Sequence, residues 1–323
     1  MLEDKPLVSI LLPVYNRPNV IKTIDTVIKQ TYEKFELIIV DNASTDSTVN
    51  EIRNIKDDRI KIYINEVNKG QTFSLNRGLT LCNGKYIARI DSDDLMMPTR
   101  IEKQVEFLES HPDYIICGSN VTIIDDYDNK IGTFSYCEND DAIRFYSTYF
   151  CPFAHPAVMM RTNIIIENGV KYDLAYSMAE DYDMWVRILQ FGKGYNIQEC
   201  LTQYRQGKSN DSVKYHNQMK HEGFQIMRYI ANKCSWSNYS VDAYCSLIDS
   251  AEKPNKSMLE NIYVMSKWII YFKKNTKKQH IDYKIQKKGL MGFLRNSCIE
   301  DNERKDVKAI YKIYKKLKKH KEV

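Results

Sequence analysis

The stretch Gly84-Lys-Tyr-Ile-Ala-Arg-Ile-Asp-Ser-Asp-Asp-Leu95 constrains this chain most, because a short apolar run there ends in three carboxylates, Asp91, Asp93 and Asp94. Tyr86, Ile87, Ala88 and Ile90 suit a buried strand, and Pro98 restarts the chain as a helix whose first turn it can occupy without losing a hydrogen bond. The acids therefore fall on the connecting loop. Carboxylates packed this closely repel one another unless a cation sits among them. Hard oxygen ligands with an incomplete octahedral shell suit Mg²⁺ or Mn²⁺, with a substrate diphosphate as co-ligand. A solvated acidic turn that caps the next helix is the competing reading of an Asp-x-Asp taken alone.

The segments around this loop alternate between strand and helix. Leu7 to Pro13, Phe35 to Val40, Ile60 to Ile64 and Lys85 to Ile90 read as strands, while Val20 to Gln30 and Gly70 to Leu81 carry helical spacing. Such alternation predicts an α/β fold, a mainly parallel sheet with helices on both faces, and ligands bound beyond the carboxyl ends of the strands. Tyr15, Asp41 and the Asp91-Ser-Asp93 loop each follow a predicted strand and should meet in one crevice. An aromatic ring, an acceptor and a metal loop together suit base stacking, base hydrogen bonding and diphosphate chelation. No G-x-G-x-x-G or G-x-x-x-x-G-K-[ST] follows any of these strands, which argues against a dinucleotide dehydrogenase and a P-loop enzyme.

Farther on, a helix to about Ser110 is followed by strand-like runs at Tyr114 to Cys117, Val121 to Ile124, Ile131 to Phe134 and Phe153 to Arg161, and by a last one at Leu201 to Arg205. Asp125, Asp126, Asp128 and Asn129 are expected to be solvated at a hairpin turn, and they miss the glycine and terminal glutamate of a calcium loop. Glu180, Asp181 and Asp183 occupy the first turn of a helix that begins near Ala179, where the helix dipole favours acids.

In family order, the chain carries Val8-Ser-Ile-Leu-Leu-Pro-Val-Tyr-Asn16, Ile38-Ile-Val-Asp-Asn-Ala-Ser-Thr-Asp46, Tyr86-Ile-Ala-Arg-Ile-Asp-Ser-Asp-Asp94, His155-Pro-Ala-Val-Met-Met-Arg161, Ala179-Glu-Asp-Tyr-Asp183 and Tyr204-Arg205. Over roughly residues 7 to 205 it resembles the family 2 glycosyltransferases, inverting enzymes of the Rossmann-like GT-A fold, and in particular the bacterial members that build surface polysaccharides. The resemblance implies a nucleoside-diphosphate sugar donor, UDP-linked in the first instance, and Mn²⁺ or Mg²⁺ as cofactor. It puts Pro13, Tyr15 and Asp41 on the base, Asp91 near the ribose, Asp93 on the metal and Asp181 in the role of catalytic base, with Asp183 as its competitor. Glu180 and His155 are expected on the acceptor side, His155 having a structural role as its alternative. Arg205 is expected to close over the diphosphate. One departure is that Ser74-Leu-Asn-Arg-Gly78 stands where the family often has Ala-Arg-Asn-x-Gly, so Leu75 replaces an arginine while Asn76 and Gly78 keep their places. Any nucleotide contact by Asn76 and its helix is an expectation carried by that partial match. A sugar-nucleotide-binding module without turnover is the alternative function; retention of the metal loop and the candidate base argues against it.

On this reading residues 1–210 form the catalytic domain, divided into a nucleotide-binding half, 1–95, and an acceptor-binding half, 96–210. Residues 211–323 form a basic helical C-terminal region with helices at Lys214 to Asn232, Tyr239 to Ser250, Lys256 to Lys273 and Asp306 to Lys319. From Ala251 onward Lys and Arg number about 20 against about 8 Asp and Glu, although the whole chain carries only +5. That basic, tyrosine-bearing face suits either an anionic membrane surface, on which a lipid-linked glycan acceptor would be carried, or packing on the catalytic domain. No nucleic-acid motif accompanies it. There is neither a long apolar span nor a basic and apolar leader in Met-Leu-Glu-Asp-Lys-Pro, so a cytoplasmic location is expected, peripheral to the inner face of the membrane if the tail binds there. Eight scattered cysteines without metal or pair spacing are expected to be reduced thiols.

Overall fold

A strand that is apolar on both sides must be covered on both faces. In the computed structural model, which describes residues 5–147, 150–207 and 214–233, all seven residues of β1 (Val8–Val14) are buried. It lies between β2 (Phe35–Asp41) and β4 (Tyr86–Arg89) and is parallel to both, with β3 (Ile60–Ile64) parallel on the far side of β2. Successive side chains point to opposite faces of the sheet. Ile10 and Leu12 join a core with Val20, Ile24 and Val27 of α1 (Val20–Ile28) and with Ile101, Val105 and Leu108 of α4 (Arg100–Ser110). Leu11 joins the opposite core with Leu75 and Leu79 of α3 (Gln71–Leu81) and with Trp185 and Ile188 of α7 (Glu180–Ile188). The parallel, doubly covered first half is therefore as the strand and helix alternation predicts. Three shorter helices are α2 (Thr48–Asn54) in this half and α5 (Asp140–Tyr146) and α6 (Thr162–Glu167) farther on.

The second half is mixed. β8 (Met159–Arg161) runs antiparallel to β4 and to β6 (Tyr114–Ile124), whereas β9 (Lys193–Arg205) runs parallel to β6. β7 (Lys130–Phe134) folds back on β6, and β5 (Leu95–Met96), the two residues after the acidic loop, pairs antiparallel with β9. Three expected segments are corrected here. Tyr114–Cys117 and Val121–Ile124 belong to one eleven-residue strand. Gly118-Ser-Asn120 looks like a turn in sequence, but Gly118 is there to let the strand pass its neighbours, since a Cβ would lie 2.2 Å from Asn196 Oδ1 and 2.8 Å from Phe153 Cδ1. The Phe153–Arg161 run is not one strand: Pro156 cannot donate to a ladder, and His155–Ala157 forms a short 3₁₀ turn before β8. Leu201–Arg205 is the end of a thirteen-residue strand.

The helix expected from Lys214 is α8 (His216–Lys233). The chain divides into two units, Met1–Ile226 and Met227–Val323. The three later helices expected in the basic tail lie outside the described residues. Among the described residues no helix is long and apolar enough to cross a membrane, and Cys82, Cys117, Cys137, Cys151 and Cys200 are free thiols.

The β4 strand enters the sheet through Gly84, where a Cβ would stand 2.5 Å from Ser9 N and 2.7 Å from Leu7 O. Backbone cannot give way as a flexible side chain does, so Gly84→Ala should cost about 3 kcal/mol and lower the melting temperature by on the order of 10 °C. Thermal unfolding followed by circular dichroism checks this.

Candidate active site

The carboxyl ends of β1, β2 and β4 lie side by side, as their parallel pairing requires. Pro13 sits one residue from the end of β1, opposite Val40. Leu11 O faces β4, where it accepts from Ile90 N at 3.2 Å, so the ring nitrogen of Pro13, two residues on, faces the same side beyond the last β1–β4 pair, Leu11 with Arg89. The missing N–H is not needed there. Tyr15 follows with 42% of its surface exposed, leaving a ring free to stack.

Asp41 closes β2 and is wholly buried. Its Oδ2 accepts from Ser44 N at 2.9 Å, while Oδ1 has no partner within the protein. A buried acceptor left unpaired is costly unless something else supplies the donor. The loops after β1 and β2 are knitted together: Asn16 Oδ1 accepts from Thr45 N at 2.9 Å, Asn16 N donates to Ser44 Oγ at 2.9 Å and Arg17 N donates to Thr48 Oγ1 at 2.7 Å. Asn16 and Ala43 both take positive φ, 46° and 61°. Asn tolerates this conformation, whereas Ala43 holds it under strain, as backbone at binding sites often does.

The three acids after β4 diverge. Asp91 faces outward and accepts from Arg89 Nη2 at 2.6 Å; Asp93 lies 3.4 Å from Arg17 Nη2. Asp94 turns inward, is 1% exposed, and accepts from Arg205 N at 2.7 Å. Burial, then the charge of Asp91, raises the pKa of Asp93, and burial with both neighbours raises that of Asp94 well above the ordinary carboxylate range. Only Asp91 and Asp93 thus remain to face a ligand.

Arg205 is engaged within the protein. Its Nε donates to Asp93 O at 2.9 Å, Nη1 to Asp125 O at 2.5 Å, and Nη2 pairs with Asp128 Oδ1 at 2.5 Å. Asp128 also pairs with Lys22 Nζ at 2.8 Å, and Asp125 accepts from Tyr127 N and Asn129 N. The hairpin turn is exposed, as expected, and through Asp125 and Asp128 it also forms part of the clamp on the acidic loop. Asn76 likewise spends both ends of its amide on Tyr172, donating to its O and accepting from its N at 2.8 Å each. Leu75 is buried in the core, and Arg77 Nη1 donates to Ile64 O at 2.8 Å and Asn65 Oδ1 at 2.6 Å.

At the start of α7, Asp181 is half-buried, its Oδ1 accepting from Tyr182 N at 2.7 Å and its Oδ2 3.5 Å from the Cys151 thiol. Burial, augmented by the charge of Asp91, raises its pKa to about 6. Glu180 is 6% exposed, and burial next to Asp181 raises it well above the carboxylate range. Asp183 is paired with Arg187, whose Nε lies 2.9 Å from its Oδ2. His155 stands between the two groups of acids: its Nε2 is 3.2 Å from Arg89 Nε and 3.0 Å from Tyr172 Oη, and its Nδ1 is 3.9 Å from Glu180 Oε1. Burial and Arg89 hold its pKa well below 6.5, so it is neutral. Because Arg89 can only donate, Nε2 accepts, and the ring proton sits on Nδ1 toward Glu180. Asp91, Arg89, His155 and Glu180 form a continuous contact path from the acidic loop to the start of α7. Sequence reasoning missed Arg89, Arg17, Cys151 and Tyr172. Arg89 had a readable signal, a charged residue inside an otherwise apolar strand.

The sequence matches a known family. The profile described as "Glycosyl transferase family 2" matches residues 9–167. A Haemophilus influenzae protein described as an uncharacterized glycosyltransferase is 32% identical, covering 81% of this chain and 87% of its own. The chain belongs to glycosyltransferase family 2. The Escherichia coli O-antigen biosynthesis glycosyltransferase WbnJ is 31% identical over 62% of this chain and 79% of its own. Among solved structures, Staphylococcus aureus TarS 1-349 in complex with UDP-GlcNAc superposes with a TM-score of 0.56 at 16% identity, covering 81% of this chain and 80% of that one. The mannosyltransferase PcManGT from Pyrobaculum calidifontis, in complex with GDP-Man and Mn²⁺, gives 0.55 at 15% identity, covering 99% and 88%. The fold of this family 2 glycosyltransferase is GT-A.

Arg205→Ala should raise amide hydrogen exchange in both 91–95 and 124–130, since one guanidinium holds the two segments. Arg205→Lys should fail to restore protection, because a single ammonium cannot reproduce the forked donor set. Mass spectrometry of the exchanged peptides reads both outcomes.

Proposed function

We propose that this chain is an inverting, metal-dependent glycosyltransferase that moves a sugar from a nucleoside diphosphate, UDP in the first instance, to a saccharide or lipid-linked saccharide acceptor in surface polysaccharide assembly. The observation that carries the reading is the pair of acidic groups after β4 and at the start of α7, tied together through Arg89 and His155. The UDP-GlcNAc carried by TarS and the O-antigen role in the name of the Escherichia coli relative support donor and pathway class.

Tyr15 stacks the base, Pro13 shapes the floor beneath it and Asp41 offers its unpartnered Oδ1 to a base N–H. Asp91 approaches the ribose. Asp93, with Asp91 beside it, would hold Mn²⁺ or Mg²⁺. The fit is one of chemistry: both are hard oxygen donors, and burial with the charge of Asp91 disfavours the ionised form of Asp93, a cost that a cation would offset. Among the described residues there is no group of three metal-ligating side chains, so diphosphate oxygens would complete the shell. A bound cation neutralises the departing diphosphate.

Asp181 takes the proton of the acceptor hydroxyl on the opposite face of the sugar. A base with pKa of about 6 is ionised at neutral pH yet more basic than an ordinary carboxylate. Glu180 and His155 shape the acceptor side through the contact path rather than by proton transfer, since Glu180 favours its neutral form and His155 is buried and neutral. Asn76 and Arg205 serve the nucleotide site indirectly, by fixing the Tyr172 backbone and the acidic loop. The catalytic part includes 1–210, and the basic tail brings the enzyme to an anionic membrane surface where a lipid-linked acceptor resides.

Asp181→Asn should leave donor binding intact and lower transfer by about 10²- to 10⁴-fold, while Asp183→Asn, which only breaks the Arg187 pair, should cost far less. Isothermal titration with UDP-GlcNAc or GDP-mannose and a coupled nucleotide-release assay separate the two effects. In the parent, transfer should rise with pH through about 6 as Asp181 ionises. The stability effect has the opposite sign. A carboxylate whose folded pKa is raised costs stability as the pH climbs from the unfolded value through the folded one, so Asp181→Asn should melt no lower than the parent at pH 8.

A further inference from the structure

The turn that presents Glu180 and Asp181 has no cap of its own. The residue at the N-cap of α7 is Ala179, which offers no side-chain acceptor, and the N–H groups at a helix start need partners from elsewhere. Those of the residues leading into it, Ser177 to Ala179, find theirs on α8. Oε2 of Glu222 accepts from Ser177 N at 3.1 Å, Met178 N at 2.8 Å and Ala179 N at 2.9 Å. Its other oxygen, Oε1, accepts from Ser177 Oγ at 3.4 Å and from Gln218 Nε2 at 3.0 Å, and Gln218 Nε2 lies 2.8 Å from Ser177 Oγ. Glu222 is only 5% exposed, although it sits on a helix with a largely polar outer surface. A carboxylate at that depth, with one oxygen gathering three consecutive backbone donors, fixes the path of the chain into α7 more firmly than a neutral cap would. Its negative charge also lies at the positive end of the α7 dipole. Glu222 lies 43 residues beyond Ala179, outside the segment matched by the family profile.

We propose that Glu222 is a positioning residue for glycosyl transfer: its carboxylate sets the backbone of residues 177–179 and thereby aims Asp181 at the acceptor hydroxyl. The inference rests on the reading of Asp181 as the base. On this account the first part of α8, up to Ile226, belongs to the catalytic machinery and is more than a connection to the basic tail.

The full-length chain tests this in two ways. Hydrogen exchange needs no substrate: Glu222→Ala should strip protection from the amides of 177–182, whereas Glu222→Gln, which keeps an oxygen for the three N–H groups, should retain it. Unchanged protection in Glu222→Ala would overturn the proposal. Kinetics use whichever of UDP-GlcNAc, GDP-mannose or a wider nucleotide-sugar panel supports turnover. Glu222→Ala should lower kcat by on the order of 100-fold with donor KM within about threefold, and Glu222→Gln should recover most of that loss. Adding Glu222→Ala to Asp181→Asn should then cost little more, because both act on one proton transfer. A kcat within about threefold of the parent, or a loss that adds in full on top of Asp181→Asn, would show that Glu222 does not act through Asp181. If Glu222→Ala does not fold, Glu222→Asp takes its place; the shorter carboxylate should give a partial loss of kcat at unchanged donor KM, and a parental kcat would count against the proposal. Full activity in Asp181→Asn alone would instead reject the base, a failure separate from that of Glu222.

Discussion

Two guanidinium groups lying out of water decide where the acidic loop can sit. Arg100, from α4, donates to Pro156 O at 2.5 Å, Arg89 O at 2.8 Å and Val158 O at 3.2 Å, and its Nε reaches Gln104 Oε1 at 3.1 Å. Arg89 reaches Asp91 and His155 from inside β4. Buried charge is tolerated only when paired and hydrogen-bonded, so these contacts bind the end of β4, the 3₁₀ turn and the loop into one arrangement. Burial alone would pull the pKa of Arg100 down, and the nearby Asp94 opposes that pull.

The same economy distributes roles among similar residues. Asp91, Asp93 and Asp94 are adjacent in sequence, yet one is held by Arg89, one borders Arg17, and one is sealed under Arg205 N. Asp181 and Asp183 begin one helix, but only Asp183 has an arginine one turn on, at Arg187. Asp181 has a backbone N–H and a thiol, which offset only part of the burial that raises its pKa into the range useful for a base.

Much of this was legible in the sequence, and what was not has physical causes. The parallel first half could be read because each strand is short, apolar and separated by a helix-period segment. The convergence of Tyr15, Asp41 and the acidic loop followed from strand direction alone. The second half could not be read the same way, since Gly118 and Pro156 punctuate in sequence what they permit or redirect in space. Long-range polar pairing was hidden as well: nothing local to Arg205 announces Asp125 and Asp128, and nothing local to Asn76 announces Tyr172. Glu222 is the extreme case, a residue in an unremarkable polar helix whose backbone partners lie more than forty positions back.

The central claim is that acids on two sides of one crevice carry out a single displacement, with proton removal by Asp181 opposite a departing diphosphate. The anomeric configuration of the first-formed glycoside tests it most directly, read by ¹H NMR from the anomeric coupling constant, or the ¹J(C,H) coupling for a manno sugar, during turnover of an α-linked nucleotide sugar. A β-glycoside as the initial product is the result this account predicts. An α-glycoside formed from the start would mean retention and would contradict a one-step displacement by this pair of acidic groups.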